Sequence, residues 1–159
     1  MVDTRELSSL AVSITICFSA AWLGSRMTTP SIPGWYAALR KPTWSPPNWL
    51  FAPVWSFLYL SMAVAVWLVW QKSAIAGTRP ALLLFAIQLA LNVAWSGFFF
   101  ALHRPGAAFA EVVLLWISIL ATACLFWPVS RAASWLMAPY LLWVSFAAAL
   151  NYCVWKLNP

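Results

Sequence analysis

Aromatic and amide side chains recur at helical spacing in the middle of two apolar stretches of the sequence. Gln88 and Asn92 are four residues apart, which places both on one face of a helix. Indoles stack on flat rings and amides hydrogen-bond to polar atoms, so two facing stripes would bind a flat, largely apolar molecule. The same groups could instead join helices by hydrogen bonds, and spacing does not decide between these interpretations. The second stripe, spaced by 3, 4 and 4 residues, is Tyr140, Trp143, Ala147 and Asn151.

Tryptophan is abundant, with thirteen copies, and four of them lie far from the ends of the apolar stretches: Trp55, Trp95, Trp116 and Trp143. At a rise of about 1.5 Å per residue, Trp55 lies about 12 Å beyond Pro47 and Trp143 about 18 Å beyond Arg131, near the middle of a bilayer core. An indole N–H at that depth needs a hydrogen-bond partner or a ligand. The other tryptophans lie near the ends of the stretches or in the first loop, as in an interfacial belt.

The composition indicates which elements must position these residues. The 159-residue chain is 64% hydrophobic and 8% charged, with a mean hydropathy of +0.83, too apolar for a water-soluble domain of this size. About 20 apolar residues cross a bilayer as a helix, and short connections make neighbouring helices antiparallel. The sequence therefore predicts an all-α membrane protein, a single-domain bundle of five transmembrane helices. They cover residues 7–26, 47–70, 81–102, 107–127 and 132–155.

Charge and cysteine patterns argue against several other classes of site. The nine basic residues are scattered and only Arg40 and Lys41 are adjacent, whereas a nucleic-acid groove needs a basic stripe. The three cysteines lie in separate apolar stretches without a CxxC pair, which suggests neither a disulfide framework nor a metal site. His103 lies in the turn "HRPG" and is interpreted as an interfacial residue, and Glu111 has no second carboxylate nearby.

Four prolines punctuate the segment "KPTWSPPNWLFAPVW", residues 41–55. Pro47 is predicted to be the first residue of the second helix, where its missing N–H needs no partner. Pro53 and Pro139 fall inside predicted helices and remove the hydrogen bonds to the carbonyls of Trp49 and Trp135. Each produces either a harmless kink or a kink that opens a pocket between helices.

Small residues form a further stripe on the third helix. Ala86, Ala90 and Ala94 repeat every four residues on the side opposite Gln88 and Asn92. Such stripes let membrane helices approach closely, so this face is predicted to form a dimer interface. The alternative is that the stripe receives a neighbouring helix of the same chain.

Three segments strongly resemble the tryptophan-rich sensory protein and translocator protein family: "WYAALRKPTWSPPNWLFAPVWSFLY", "QLALNVAWSGFFF" and "PYLLWVSFAAALNYCVWK". The resemblance extends from the first helix to the C-terminus. It implies five transmembrane helices, a homodimer, no required cofactor, and binding of porphyrins such as protoporphyrin IX. Mitochondrial members also bind cholesterol and benzodiazepine-type ligands. The resemblance implies a multi-pass protein of a bacterial cell envelope or of the mitochondrial outer membrane.

The family's pocket lies between the helices under the first loop. Carried onto this chain, the resemblance assigns Trp55 and Trp143 as pocket tryptophans, Asn92 as a polar pocket residue, and Trp35 with Leu39 as part of the covering loop. It implies that the proline-rich segment starts and bends the second helix so that Trp55 meets the ligand. With the two polar stripes, the predicted ligand-binding residues are Trp35, Leu39, Trp55, Gln88, Asn92, Trp95, Tyr140, Trp143 and Ala147.

A second ligand pattern overlaps the end of the last helix. "LNYCVWK" satisfies the cholesterol pattern L-x-Y-x-x-x-K, which many membrane helix ends match by chance. The residues concerned are Leu150, Asn151, Tyr152 and Lys156. A chain from an organism without sterols would use the same surface for other membrane lipids.

Three classes of function remain open at this point. The first is a receptor or sensor that stacks a porphyrin on Trp55 and Trp143, with the porphyrin carboxylates near Arg40 or Lys41. The second is an enzyme that breaks porphyrin down in light, for which Trp55 and Trp143 are the candidate redox residues. The third is a transporter of tetrapyrrole or sterol, although the sequence has neither internal repeats nor intramembrane ionic pairs.

Overall fold

The computed structural model describes residues 4–159, with six α-helices in chain order. They are α1 (Thr4–Thr28), α2 (Phe51–Trp70), α3 (Thr78–Ser96), α4 (Pro105–Phe126), α5 (Arg131–Leu136) and α6 (Ala138–Leu157). Short 3₁₀ or π-helical turns extend several of these helices and create five continuous segments that are long and apolar enough to cross a membrane. The segments are Glu6–Tyr36, Asn48–Trp70, Thr78–Ala101, Pro105–Phe126 and Arg131–Leu157. The predicted bundle of five transmembrane helices is confirmed.

The first helical segment continues well beyond the predicted end at residue 26. A 3₁₀ turn, Thr29–Ser31, and a π-helical turn, Ile32–Tyr36, follow α1 directly. Pro30 and Pro33 are the second residues of these turns, where a missing N–H costs little. The sequence suggests that both prolines belong to a loop. In the structure the chain stays helical through them, with a changed helical pitch. The extension brings Trp35 against Phe99 in the third segment and His103 in the turn that follows it.

The start of the second segment corrects the prediction for Pro47. Pro47 has φ −66° and ψ 148°, an extended conformation, so it precedes the helix and is not its first residue. Its carbonyl accepts a hydrogen bond of 3.0 Å from the Leu50 N–H, which closes the 3₁₀ turn Asn48–Leu50. Pro53 is the third residue of α2. Its missing N–H therefore falls where the tight turn widens into an α-helix, instead of in the helix interior.

The fifth predicted helix, 132–155, consists of two helices. The Ser130 hydroxyl caps α5 by accepting a hydrogen bond from the Ala133 N–H at 3.4 Å. The helix then breaks at Met137, and Pro139 is the second residue of α6. Because Pro139 cannot donate to the Trp135 carbonyl, the predicted irregularity is present as a one-residue interruption at Met137, whose backbone stays in the right-handed helical region.

A well-packed core lies at the end of the bundle that contains α5, which we call the packed end. There α5 packs against α2 and α4, and α3 packs against α4. The rings of Phe85 and Phe126 stack with centroids 6.0 Å apart. Core residues from four helices at this end are fully inaccessible to solvent: Met62, Val69, Ala81, Ile119, Phe126 and Ala133.

Candidate ligand-binding cavity

The opposite end of the bundle, which we call the cavity end, contains a partly open cavity of about 520 Å³ between α1, α2, α3 and α6. That volume is in the range of small-molecule sites. The cavity brings together predicted residues from three helices, namely Trp55, Asn92, Trp95, Trp143 and Ala147. Its lining does not include Trp35, Leu39, Gln88 or Tyr140.

A hydrogen-bonded layer forms the floor of the cavity. The Tyr59 hydroxyl donates to Asn92 Oδ1, and Asn92 Nδ2 donates to the Tyr140 hydroxyl at 2.8 Å. These bonds join α2, α3 and α6, so Asn92 serves the helix-to-helix role that the sequence left open. Gln88 lies one turn further from the cavity, with Nε2 4.0 Å from Met62 Sδ, and is fully buried.

The tryptophan N–H groups differ in whether the protein satisfies them. Trp95 Nε1 donates to Asn151 Oδ1 at 3.0 Å, and Trp116 Nε1 donates to Ser145 Oγ at 2.7 Å. Trp143 Nε1 is buried and has no hydrogen-bond partner among the residues that the structure describes. Other atoms of the Trp143 side chain line the cavity, so a small movement of the ring would let its N–H donate to a bound molecule.

Neighbouring rings hold the two pocket indoles in position. Trp143 meets Phe51 nearly edge-on at a centroid distance of 5.9 Å, and Phe146 packs on it at 5.3 Å. Trp55 packs against Tyr59 at 5.7 Å, one turn along α2. The cavity wall is therefore aromatic and supported by further aromatic side chains.

The residues of the cholesterol pattern do not share one surface. Leu150 and Asn151 line the cavity and are buried, and Asn151 Nδ2 donates to the Pro105 carbonyl at 2.8 Å. Tyr152 is 44% exposed on the outside of the bundle. Lys156 is also exposed, and its ammonium lies 4.2 Å from the ring centroid of the preceding tryptophan. Leu150 and Asn151 thus belong to the interior, whereas Tyr152 and Lys156 face outward.

Positive charge lies near the cavity without entering it. None of the described residues that line the cavity is charged. Lys41 Nζ lies 4.4 Å from the ring centroid of Tyr36, which does line the cavity. Burial lowers the pKa of Lys41, because desolvation disfavours the ammonium form. A carboxylate at this mouth would meet a partly desolvated cation.

The small-residue stripe of α3 lies on the outside of the bundle. Ala86 and Ala90 are exposed and Ala94 is partly buried. Ala86 and Ala90 line a groove between α1 and α3, together with Ala20. No other helix of the described chain fills this groove, which leaves it open to lipid or to a second subunit.

The sequence model of the TspO/MBR family matches residues 13–156. The chain belongs to this family. It is 42% identical over 159 residues to the tryptophan-rich protein TspO of Chlorobaculum tepidum, an alignment that covers 98% of this chain and 99% of that protein. It is 40% identical over 160 residues to the protein CrtK of Rhodobacter capsulatus, covering 97% and 95% of the two chains. It is also 40% identical over 151 residues to the translocator protein of Sus scrofa, covering 93% and 89%.

Several cavity residues of this TspO/MBR protein escaped the sequence interpretation. Tyr59 and Phe51 both line the cavity and lie four residues on either side of Trp55, so helical spacing from Trp55 was a usable signal. Ser25 and Thr29 contribute hydroxyl groups from the first segment. Nothing in their local sequence distinguishes them from other small polar residues of a membrane helix.

Proposed function

We propose that this TspO/MBR protein is a membrane receptor that binds a porphyrin such as protoporphyrin IX in the cavity, with no resident cofactor. The observation that carries the proposal is the buried, unpartnered N–H of Trp143 in an aromatic cavity of about 520 Å³. An unpaired buried donor costs free energy, and a ligand with an acceptor at that place recovers it.

The cavity chemistry supports a flat aromatic ligand. Aromatic contacts with Trp55 and Trp143 would each add about 0.5 to 1.5 kcal/mol beyond the burial of apolar surface. The uncharged lining disfavours a buried carboxylate, because an unpaired charge is costly to desolvate. The porphyrin carboxylates would therefore lie at the mouth of the cavity, near Lys41 and Arg40.

Membrane lipid is a second proposed contact, outside the cavity. A sterol or another lipid would meet the exposed Tyr152 and Lys156, since aromatic and basic side chains together suit the headgroup region. The buried Leu150 and Asn151 would serve the bundle and the cavity instead.

A titration in the dark tests porphyrin binding. Protoporphyrin IX added to the purified protein in detergent should quench tryptophan fluorescence saturably. Trp143→Phe keeps a ring but removes the N–H, so affinity should fall about threefold to tenfold. Trp127→Phe, an exposed position at the packed end, is the matched control and should bind as wild type. Quenching that never saturates with wild type would refute the proposal.

Illumination of the same samples separates a receptor from an enzyme. A receptor leaves the porphyrin spectrum unchanged relative to porphyrin in detergent alone. Loss of the spectrum with a new product that requires the protein would show the enzymatic alternative instead. In that case Trp143→Phe should slow the loss more than it weakens binding, because phenylalanine is much harder to oxidise than indole.

A further inference from the structure

The segment 32–41 covers the cavity end, and we call it the lid. Tyr36 is 6% exposed and lines the cavity from the lid side. Trp35 packs edge-on against Phe99 at a centroid distance of 5.5 Å. Leu39 packs on the same aromatic cluster as Tyr36. The lid is thus part of the cavity wall, and its movement would widen the route by which a ligand exchanges at this end.

His103 holds one side of the lid. Its ring stacks on Trp35 with centroids 4.3 Å apart and planes 17° apart. Its Nε2 lies 3.3 Å from Ser31 Oγ, which also donates to the Phe100 carbonyl at 2.7 Å. His103 has φ +53°, the one positive φ outside glycine in the described chain. A side chain makes that conformation unfavourable, and the contacts of the His103 ring with Trp35 and Ser31 offset part of this cost.

Asn158 holds the other side of the lid. The Arg40 N–H donates to Asn158 Oδ1 at 3.0 Å, and Asn158 Nδ2 donates back to the Arg40 carbonyl at 3.0 Å. The same Nδ2 donates to the Val154 carbonyl at 2.8 Å, which ties the pair to the last turn of α6. One amide side chain thereby satisfies both backbone groups of a lid residue.

We infer that His103 and Asn158 are positioning residues that hold the lid closed and so govern how fast a ligand enters and leaves the cavity. Neither residue lines the cavity, so each acts through the lid segment it contacts. The ligand part of this inference rests on the proposed porphyrin binding. The positioning part does not, because the tethers join protein groups only.

Hydrogen exchange of the lid tests the tethers without any ligand. Asn158→Ala removes both bonds to Arg40, and His103→Gly removes the ring while accommodating the positive φ. Exchange of the lid amides should speed up about threefold to tenfold in each variant, with the Arg40 amide most affected by Asn158→Ala. Arg131→Gln is the matched control, because Arg131 lies over the Trp127 ring at 5.4 Å at the packed end. Unchanged lid exchange in both variants would overturn the inference.

Stopped-flow fluorescence then tests the link to ligand exchange. Both variants should raise the association and dissociation rates of protoporphyrin IX by similar factors, about threefold to tenfold, so that Kd changes less than the rates. His103→Phe retains the stacked ring and should restore most of the slow exchange. A faster lid with unchanged porphyrin rates would overturn the gating role. If wild type binds no protoporphyrin IX, the proposed function fails, while lid exchange still decides whether the tethers exist.

Discussion

The packed end and the cavity end of the same five-segment bundle differ in how their interior is filled. At the packed end, Phe85 and Phe126 stack at 6.0 Å and Ala133 is completely inaccessible to solvent. At the cavity end, the same bundle leaves about 520 Å³ open between indole side chains such as Trp55 and Trp143. Buried side chains at the packed end can therefore stabilise the fold, while the cavity end leaves room for a ligand.

The boundary between the two ends is the hydrogen-bonded layer of Tyr59, Asn92 and Tyr140. The Asn92 amide accepts a bond from one tyrosine and donates to the other, so three helices are joined directly beneath the cavity. In contrast, the Trp143 N–H on the cavity wall has no partner in the described chain. Gln88 Oε1 and the Glu111 carboxylate are also buried without a partner among the described residues, but of these residues only Trp143 lines the cavity.

The largest expected effect is on stability at the packed end. Phe126→Ala removes a fully buried ring that stacks on Phe85 and should lower the free energy of unfolding by about 3 kcal/mol. Phe51→Ala at the cavity end, where the ring is only half-buried, is the control and should cost less. Denaturant titration followed by circular dichroism measures both. Equal losses would break the distinction between the two ends.

Substitutions in the hydrogen-bonded layer should lower the free energy of unfolding by an intermediate amount. Asn92→Leu leaves the hydroxyls of Tyr59 and Tyr140 without their partner, and two lost contacts at about 0.6 kcal/mol each predict a loss of about 1 kcal/mol. Tyr140→Phe removes one of these bonds and should cost about half as much. An Asn92→Leu variant as stable as wild type would show that the layer does not hold the helices.

Charge at the cavity mouth should affect ligand choice more weakly. Replacing Arg40 and Lys41 together with Gln should lower the affinity for protoporphyrin IX about twofold to fivefold, as for exposed ion pairs, and leave its dimethyl ester unaffected. Because burial lowers the pKa of Lys41, its charge is lost at lower pH than for a free lysine. Affinity for the free acid should therefore fall as pH rises through that lowered pKa. Equal losses for acid and ester would show that these cations do not contact carboxylates.

A substitution in the groove of α3, on the outer surface of the bundle, should have the smallest effect on ligand binding. We propose that a second copy of the chain packs on the exposed Ala86 and Ala90. Ala90→Leu should then shift the protein toward monomer in lipid, as measured by crosslinking, while the porphyrin Kd stays within about twofold. A variant that remains dimeric would remove this stripe from the interface.

Much of the architecture follows from the sequence, because a bilayer needs long apolar helices and this chain has five. Depth along the helices and the family resemblance together also predict that Trp55, Asn92 and Trp143 share one site, and all three line the cavity. Residue spacing could not predict the hydrogen bonds of Asn92 with Tyr59 and Tyr140, because these bonds depend on how three helices are aligned along their axes.

The covering loop was expected from the family resemblance, but the contacts that hold it were not predictable, for a physical reason. Ser31 and His103 are 72 residues apart, and local sequence carries no signal for a contact between two turns. The sequence interprets His103 only as an interfacial residue of the "HRPG" turn, and the structure adds its stack on Trp35. Pro30 and Pro33 were likewise ambiguous, because proline can begin a new helical turn as well as end one.

The indole N–H signal of Trp143 tests the central claim most directly. In a nitrogen–proton NMR spectrum of the protein in detergent micelles, Trp143→Phe identifies that signal by its loss. Protoporphyrin IX should move the Trp143 signal as its N–H gains an acceptor, while the signal of Trp116, already bonded to Ser145, stays in place. A Trp143 signal that does not move while porphyrin binds, or one that moves no more than that of Trp116, would contradict the account.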